Sequence, residues 1–181
     1  MEEELKLELL RYPIGRFKLP VQFDQAAISG FINDIRSLPL SLETAVQTLD
    51  AHQLNTAYRE GGWTVHQLLH HIPESHMNAF IRYKLALTEN NPVIKPYQEN
   101  QWVQLPDIAV TPVNVSLTLL HALHIRWVNL LETMSPEDFK RTYFHPGLKK
   151  EQSLEEVTAI YAWHGKHHLA HITRLKDRMR W

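Results

Sequence analysis

Apolar residues recur at spacings of three and four through four long stretches of this chain, a repeat that fits an α-helix and excludes a half-buried strand. The first stretch follows Asp24, a good N-cap, and puts Ile28, Phe31, Ile32, Ile35, Leu38, Leu42, Ala45, Val46 and Leu49 on one stripe. The stripe keeps its phase through Pro39, which predicts one helix bent at the proline. The second opens on Trp63-Thr-Val-His-Gln-Leu68, where Thr64 and Gln67 have capping-box spacing and Trp63 can staple onto Leu68. Its arc is Val65, Leu68, Leu69, Ile72, Ala79, Phe80 and Tyr83, with Pro73 inside it as a second expected bend, and it ends before Asn90-Asn91-Pro92. The third runs from about Asn114 to Met134, with Leu120, Leu123, Trp127, Leu130, Leu131 and Met134 inward. Ser135 and Pro136 then open a short extra helix. The fourth begins at another capping box, Ser153 with Glu156, and its inward stripe is Val157, Ile160, Tyr161, His164, His168, His171, Ile172, Leu175 and Met179.

No stretch alternates as a strand does. The expected fold class is all-α: a single domain over residues 1–181, built as a four-helix bundle with a long loop between helices 2 and 3. Residues 1–23 are expected to be an extended segment packed on the bundle, since Arg11–Pro20 has two prolines, a glycine and no helical period. The loop from Asn90 to Val113 holds Pro92, Pro96, Pro106 and Pro112, with one helical hint around Gln98–Leu105. A loop of that length in a compact domain usually forms a lid or pocket wall. Its aromatics, Tyr97 and Trp102, read as anchors packed on the bundle.

Charge narrows the partners. With 19 Lys+Arg against 20 Asp+Glu the formal net charge is -1, so neither nucleic acid nor an anionic membrane is an expected partner. No apolar run approaches the ~20 residues of a membrane span. The acidic start, MEEELKLELL, lacks the order of a secretory signal, which points to the cytoplasm. The chain has no cysteine and twelve histidines, so a transition metal would be held mainly by imidazole.

The faces those histidines occupy are informative. His164 and His168 stand in the middle of the fourth apolar stripe, one turn apart, where both rings can point at one ion. A lone core histidine is ordinarily satisfied by a neighbour. Two at ligand spacing are harder to satisfy, because an unpartnered buried imidazole costs roughly 1–3 kcal/mol. A third ligand should come from another helix. The second helix offers His66 and His70 towards its polar side, His71 on the flank of its arc, and His76 inside the arc as a supporting or core group. His167 and His171 form a competing pair, weaker because His167 lies off the stripe; His171 would otherwise line a pocket or support a ligand. Periodicity leaves the choice of third ligand open.

Trp63-Thr-Val-His-Gln-Leu-Leu-His-His-Ile-Pro-Glu-Ser75 and His164-Gly-Lys-His-His-Leu-Ala-His-Ile172 resemble the second-helix and final-helix signatures of the DinB-like superfamily. The resemblance implies a bundle of the DinB-like type with His71, His164 and His168 as metal ligands. Tyr12-Pro-Ile-Gly15, Tyr58-Arg-Glu-Gly-Gly-Trp63, Ser75-His-Met-Asn78, Ile81-Arg-Tyr-Lys-Leu85 and His145-Pro146 extend it to the YfiT subgroup, described both as metal-dependent hydrolases and as bacillithiol S-transferases. The chain departs from the subgroup at Pro73, which bears on local helix geometry. The resemblance implies one divalent ion per chain, Zn2+ or Ni2+, with water in its open positions, and together with the apolar bundle faces it suggests a homodimer.

Three neutral ligands leave the full charge on such an ion and at least one position open, suiting it to activate water or to hold a thiol as thiolate. A zincin hydrolase places its glutamate base directly after the first histidine, but here Gly165 follows His164, and Glu74 should point away from the apolar face. A thiolate needs no such base. Lacking cysteine, the protein would take its thiol from a small molecule. The expected function is transfer of a low-molecular-weight thiol to an electrophilic substrate, with hydrolysis by metal-activated water and a non-catalytic metal-stabilised binding module as the alternatives.

Overall fold

The structure, a computed structural model, describes residues 2–181. In chain order its elements are α1 (Glu2–Arg11), α2 (Gln25–Val46), α3 (Ala51–Leu54), α4 (Val65–Thr88), α5 (Glu99–Trp102), α6 (Pro106–Val110), α7 (Val113–Thr133), α8 (Pro136–Phe139), β1 (Thr142–His145), β2 (Lys150–Ser153) and α9 (Leu154–Met179). The long helices α2, α4, α7 and α9 form the bundle. Helix α2 packs against α7 and α9, and α4 packs against the same two, so α2 and α4 lie across the bundle from each other.

The helix starts follow their caps. Asp24 accepts from the Ala27 N–H, and both capping boxes, Thr64 with Gln67 and Ser153 with Glu156, are closed. Helix α2 runs unbroken through Pro39 and α4 through Pro73. In α7 the buried stripe is Leu117, Leu120, His124, Trp127, Val128 and Leu131. It is rotated slightly from the expected one, so His124 rather than Leu123 points inward.

Two expectations are corrected. The segment 1–23 is extended only beyond Arg11, because Glu2–Arg11 is a helix. Its leucines, glutamates and lysine are strong helix formers, and the prolines that break the pattern come later. Arg16 folds back on this helix, paired to Glu8 at 2.8 Å. A strand pair also exists: β1 and β2 are antiparallel, with Tyr143 opposite Gln152. Strands of four residues show almost no periodicity in sequence. This one is held by Tyr143, buried in the core with its hydroxyl on Gln152 Oε1 at 3.3 Å, and by the Val93–Phe144 bridge to the loop. That loop contains α5, within the helical hint at Gln98–Leu105, and a second short helix, α6, beyond it. No helix among the described residues is long and apolar enough to cross a membrane.

The core is split in two. One cluster gathers Ile28, Ile35, Tyr83, Trp127, Leu131 and Val157, the other Leu42, Leu68, Ile72, Leu120, Ile172 and Leu175. Along α4, α7 and α9 alike, the boundary between the clusters is occupied by histidine: His76, His124, and His164 with His168. The bundle thus carries a buried polar belt between two apolar halves.

Candidate metal centre

One ring nitrogen from each of His71, His164 and His168 lies within 4.8 Å of the others. His71 comes from α4 and the other two, one turn apart, from α9, which packs directly against it. His71 and His168 are buried, and His164 opens partly onto a cavity of about 550 Å³. Trp63 packs against the His71 ring, with centroids 4.6 Å apart. A second group, His167, His168 and His171, also meets within 4.8 Å and shares His168 with the first. His66 is half-buried, whereas His70 is buried, its Nδ1 2.6 Å from Ser116 Oγ on α7. The polar side expected for His70 is therefore the face that meets α7.

Hydrogen bonds assign the protons on the rings. A main-chain carbonyl only accepts, so His124 Nδ1, 2.6 Å from the Ile35 oxygen, carries the proton and donates. Burial pushes the His124 pKa down to about 4, so the ring is neutral and its Nε2 accepts from His76 Nδ1 at 2.8 Å. His76 Nε2 then accepts from His164 Nδ1 at 3.1 Å. On the other side, His171 Nε2 donates to the Arg11 carbonyl at 3.2 Å, and its Nδ1 accepts from His168 Nδ1 at 3.4 Å. Both arms leave a bare lone pair on Nε2, of His164 in one and His168 in the other, and these two atoms stand 3.1 Å apart.

Two facing lone pairs repel, and a cation between them turns the repulsion into coordination. Nitrogens each about 2.0–2.1 Å from a zinc ion lie roughly 3.0–3.4 Å from one another, so the spacing fits. His71 brings one ring nitrogen to the same point, and its Nδ1 is buried without a hydrogen-bond partner. All these rings are neutral near pH 7. Burial lowers the His71 pKa to about 4, and burial, then neighbouring histidines, hold His76, His164 and His168 well below the usual range. The donor set suits a borderline divalent ion that takes imidazole, such as zinc or nickel.

The cavity wall is partly what the sequence suggested. Tyr97, Glu99 and Asn100 of the loop line it, so Tyr97 is a wall residue rather than only an anchor; its ring lies 4.6 Å from that of Trp102. Tyr12 and Tyr58 complete the mouth, Tyr58 stacked on His171 at 4.0 Å. Both tyrosines stand in the quoted motifs, which was the available clue to them. His124 belongs to none of the quoted motifs, although it lies in the α7 stripe between Leu120 and Trp127 as His164 lies in that of α9.

The profile of the DinB superfamily matches residues 38–172, a span that contains all three converging histidines. The chain belongs to the DinB superfamily. A relative from Bacillus mycoides (strain KBAB4), named "putative metal-dependent hydrolase", is 50% identical over 172 residues, covering 95% of this chain and 98% of its own. A protein of the same name from Bacillus cereus (strain AH820) is 51% identical over 172 residues with the same coverage. Among solved structures, YfiT from Bacillus subtilis matches with a TM-score of 0.93 at 43% identity, covering 96% of this chain and 99% of that one. YfiT is described as a probable metal-dependent hydrolase with an unusual four-helix bundle topology.

Proposed function

We propose that this DinB-superfamily chain is a metal-dependent enzyme that holds one divalent ion, zinc or nickel, on His71, His164 and His168, and transfers a low-molecular-weight thiol of the bacillithiol type to an electrophilic substrate. The observation that carries the reading is the pair of proton-free Nε2 atoms, His164 and His168, meeting at the floor of an open cavity. A structural site is closed by four protein ligands, whereas three histidines beneath a cavity leave room for a reactant. An ion so held favours the thiolate of a bound thiol, or the hydroxide of a bound water.

What the chain's own residues do beside the ion favours the thiol. The position that carries the base in a zincin is Gly165, and a Cβ there would come within 2.5 Å of the buried Leu38 side chain. A glutamate at that position would have to displace the Leu38 side chain. Glu74 is half-buried with one oxygen unpartnered, and it is not among the cavity-lining residues. In the transfer the sulfur forms a new bond to the electrophilic carbon, the thiol proton passes to solvent, and the leaving group departs with its electron pair. The chain's tyrosine- and histidine-lined cavity positions the two reactants and limits water around them.

Hydrolysis is the second reading, favoured by the relatives' names and by Glu99, an exposed carboxylate on the cavity wall. The two are separated by assaying the metal-loaded protein and His164→Ala in parallel. Conjugation of a low-molecular-weight thiol to a soft electrophile should be accelerated only by the loaded wild type. Its rate should vary less between pH 6 and 8 than the uncatalysed reaction, because a free thiol of pKa ~8.5 is mostly protonated there. Ester or amide cleavage without added thiol that is lost in His164→Ala, with no conjugation above background, would establish the hydrolase instead.

A further inference from the structure

We propose that His124 and His76 are positioning residues that fix the ligating tautomer of His164 from the far side of the bundle, through a hydrogen-bond row anchored on the Ile35 carbonyl. The inference rests on the reading of His164 as a ligand. The row takes one group from each long helix: the Ile35 carbonyl from α2, His124 from α7, His76 from α4 and His164 from α9.

The anchor originates in a proline. In an uninterrupted helix the Ile35 carbonyl would accept from the N–H four residues on, but that residue is Pro39, which has none. Helix α2 runs through the proline and leaves this carbonyl free inside the bundle. His124 Nδ1 takes it at 2.6 Å, and His124 is itself 2% exposed.

The polarity of the row follows from that end. The carbonyl has no proton to give, so His124 has its proton on Nδ1, His76 likewise, and His164 likewise. Reversing any one ring sets two protons or two lone pairs against each other at a buried contact. His76 is fully buried, and its two nitrogens are both engaged. The consequence at the far end is that His164 presents Nε2 without a proton, the form a metal requires. Metal-bound histidines ordinarily donate their second N–H to a carboxylate, a main-chain carbonyl or water. Here a carbonyl performs that function through two intervening imidazoles, and no charge enters the apolar interior.

Without the His124 acceptor, His76 is free to carry its proton on Nε2. It would then donate to His164 Nδ1 and push the His164 proton onto Nε2, facing the ion. His124 should therefore influence metal binding although two rings separate it from the ion, and it should do so only through His76.

Two measurements test this. Long-range 15N–1H NMR on the metal-free, unmutated protein reads each tautomer directly. His124, His76 and His164 should all be Nδ1-protonated and neutral at pH 7.5; an Nε2 proton on His124 or His76 would overturn the proposal. Zn2+ competition titrations on wild type, His76→Phe, His124→Phe and the double variant supply the coupling. Removing a supporting partner of a metal ligand weakens binding by roughly 10–100-fold. Each single variant should fall in that range, and the double should bind no more weakly than His76→Phe alone, since both changes remove one path. Zn2+ binding by His124→Phe as tight as wild type, or losses that multiply in the double variant, would overturn it. Failure of the wild type to bind Zn2+ would instead reject the metal centre, and the NMR tautomers would still decide whether the row exists.

Discussion

His71→Ala, His164→Ala and His168→Ala should each empty the metal centre, while wild-type protein carries one ion per chain and His70→Ala retains it. If the roughly 10–16 kcal/mol of a tight zinc site is shared among four ligands, one ligand is worth about 3 kcal/mol or more, an affinity loss on the order of a hundredfold. Dialysis against buffer followed by elemental analysis would show such a loss as an empty site. His70 behaves differently because its Nδ1 is turned to Ser116 on α7, away from the converging trio. The helical circular dichroism should persist in all four variants, since the closed capping boxes and the two apolar clusters do not involve the ion. The decisive comparison is with the other histidine group. Both groups contain His168, so its substitution cannot tell them apart. Metal retained in His71→Ala but absent from His171→Ala would move the centre to His167, His168 and His171. In the metal-free hydrogen-bond pattern the His171 nitrogen left for an ion, Nδ1, instead accepts the Nδ1 proton of His168 at 3.4 Å, which argues against that outcome.

Acid should unfold the metal-free protein between about pH 6.5 and 4, and a bound ion should move that transition downward. Burial holds His71, His124, His167 and His171 at pKa values of about 4, and burial, then neighbouring histidines, hold His76, His164 and His168 well below the usual histidine range. In the unfolded chain the same groups titrate near 6.5. The unfolded state therefore takes up protons that the folded state refuses. Stability is full above pH ~6.5 and declines as pH falls towards and through the folded values. A group shifted from 6.5 to about 4 corresponds to about 3 kcal/mol when fully expressed. A domain has only about 5–15 kcal/mol in total, so a few such groups suffice to unfold it. Exposed histidine ligands would release an ion near pH 6; these should hold theirs until the bundle opens, so that metal release and loss of helix coincide. Circular dichroism and metal content followed together from pH 7.5 to 4 check this, and a metal-free protein still fully helical at pH 4.5 would contradict it.

Helix starts were legible because they depend on local chemistry. Thr64 with Gln67 and Ser153 with Glu156 cap within four residues, and the apolar stripes of α2 and α9 repeat with the helix itself. The pairing of β1 with β2 was not legible, since its stability comes from Tyr143 buried in a core assembled by other segments. Nor was helix α1 read from Glu2–Arg11, where the prolines that follow dominated the reading. The phase of α7 was nearly right, yet an error of one position exchanged Leu123 for His124.

For the site, the sequence alone brought out His164 and His168, because two histidines at i and i+4 on an apolar stripe are a one-dimensional pattern. It left the third member open among the histidines of the second helix, and motif resemblance rather than spacing pointed to His71. Only the tertiary structure decided which rings meet, where His70 turns, and that His76 and His124 join His164 to the Ile35 carbonyl. Those relations depend on the rotation and height of four helices relative to one another, which local propensity does not encode. The Pro39 gap in the α2 ladder is written in the sequence, but its use became visible only when α7 placed His124 against it.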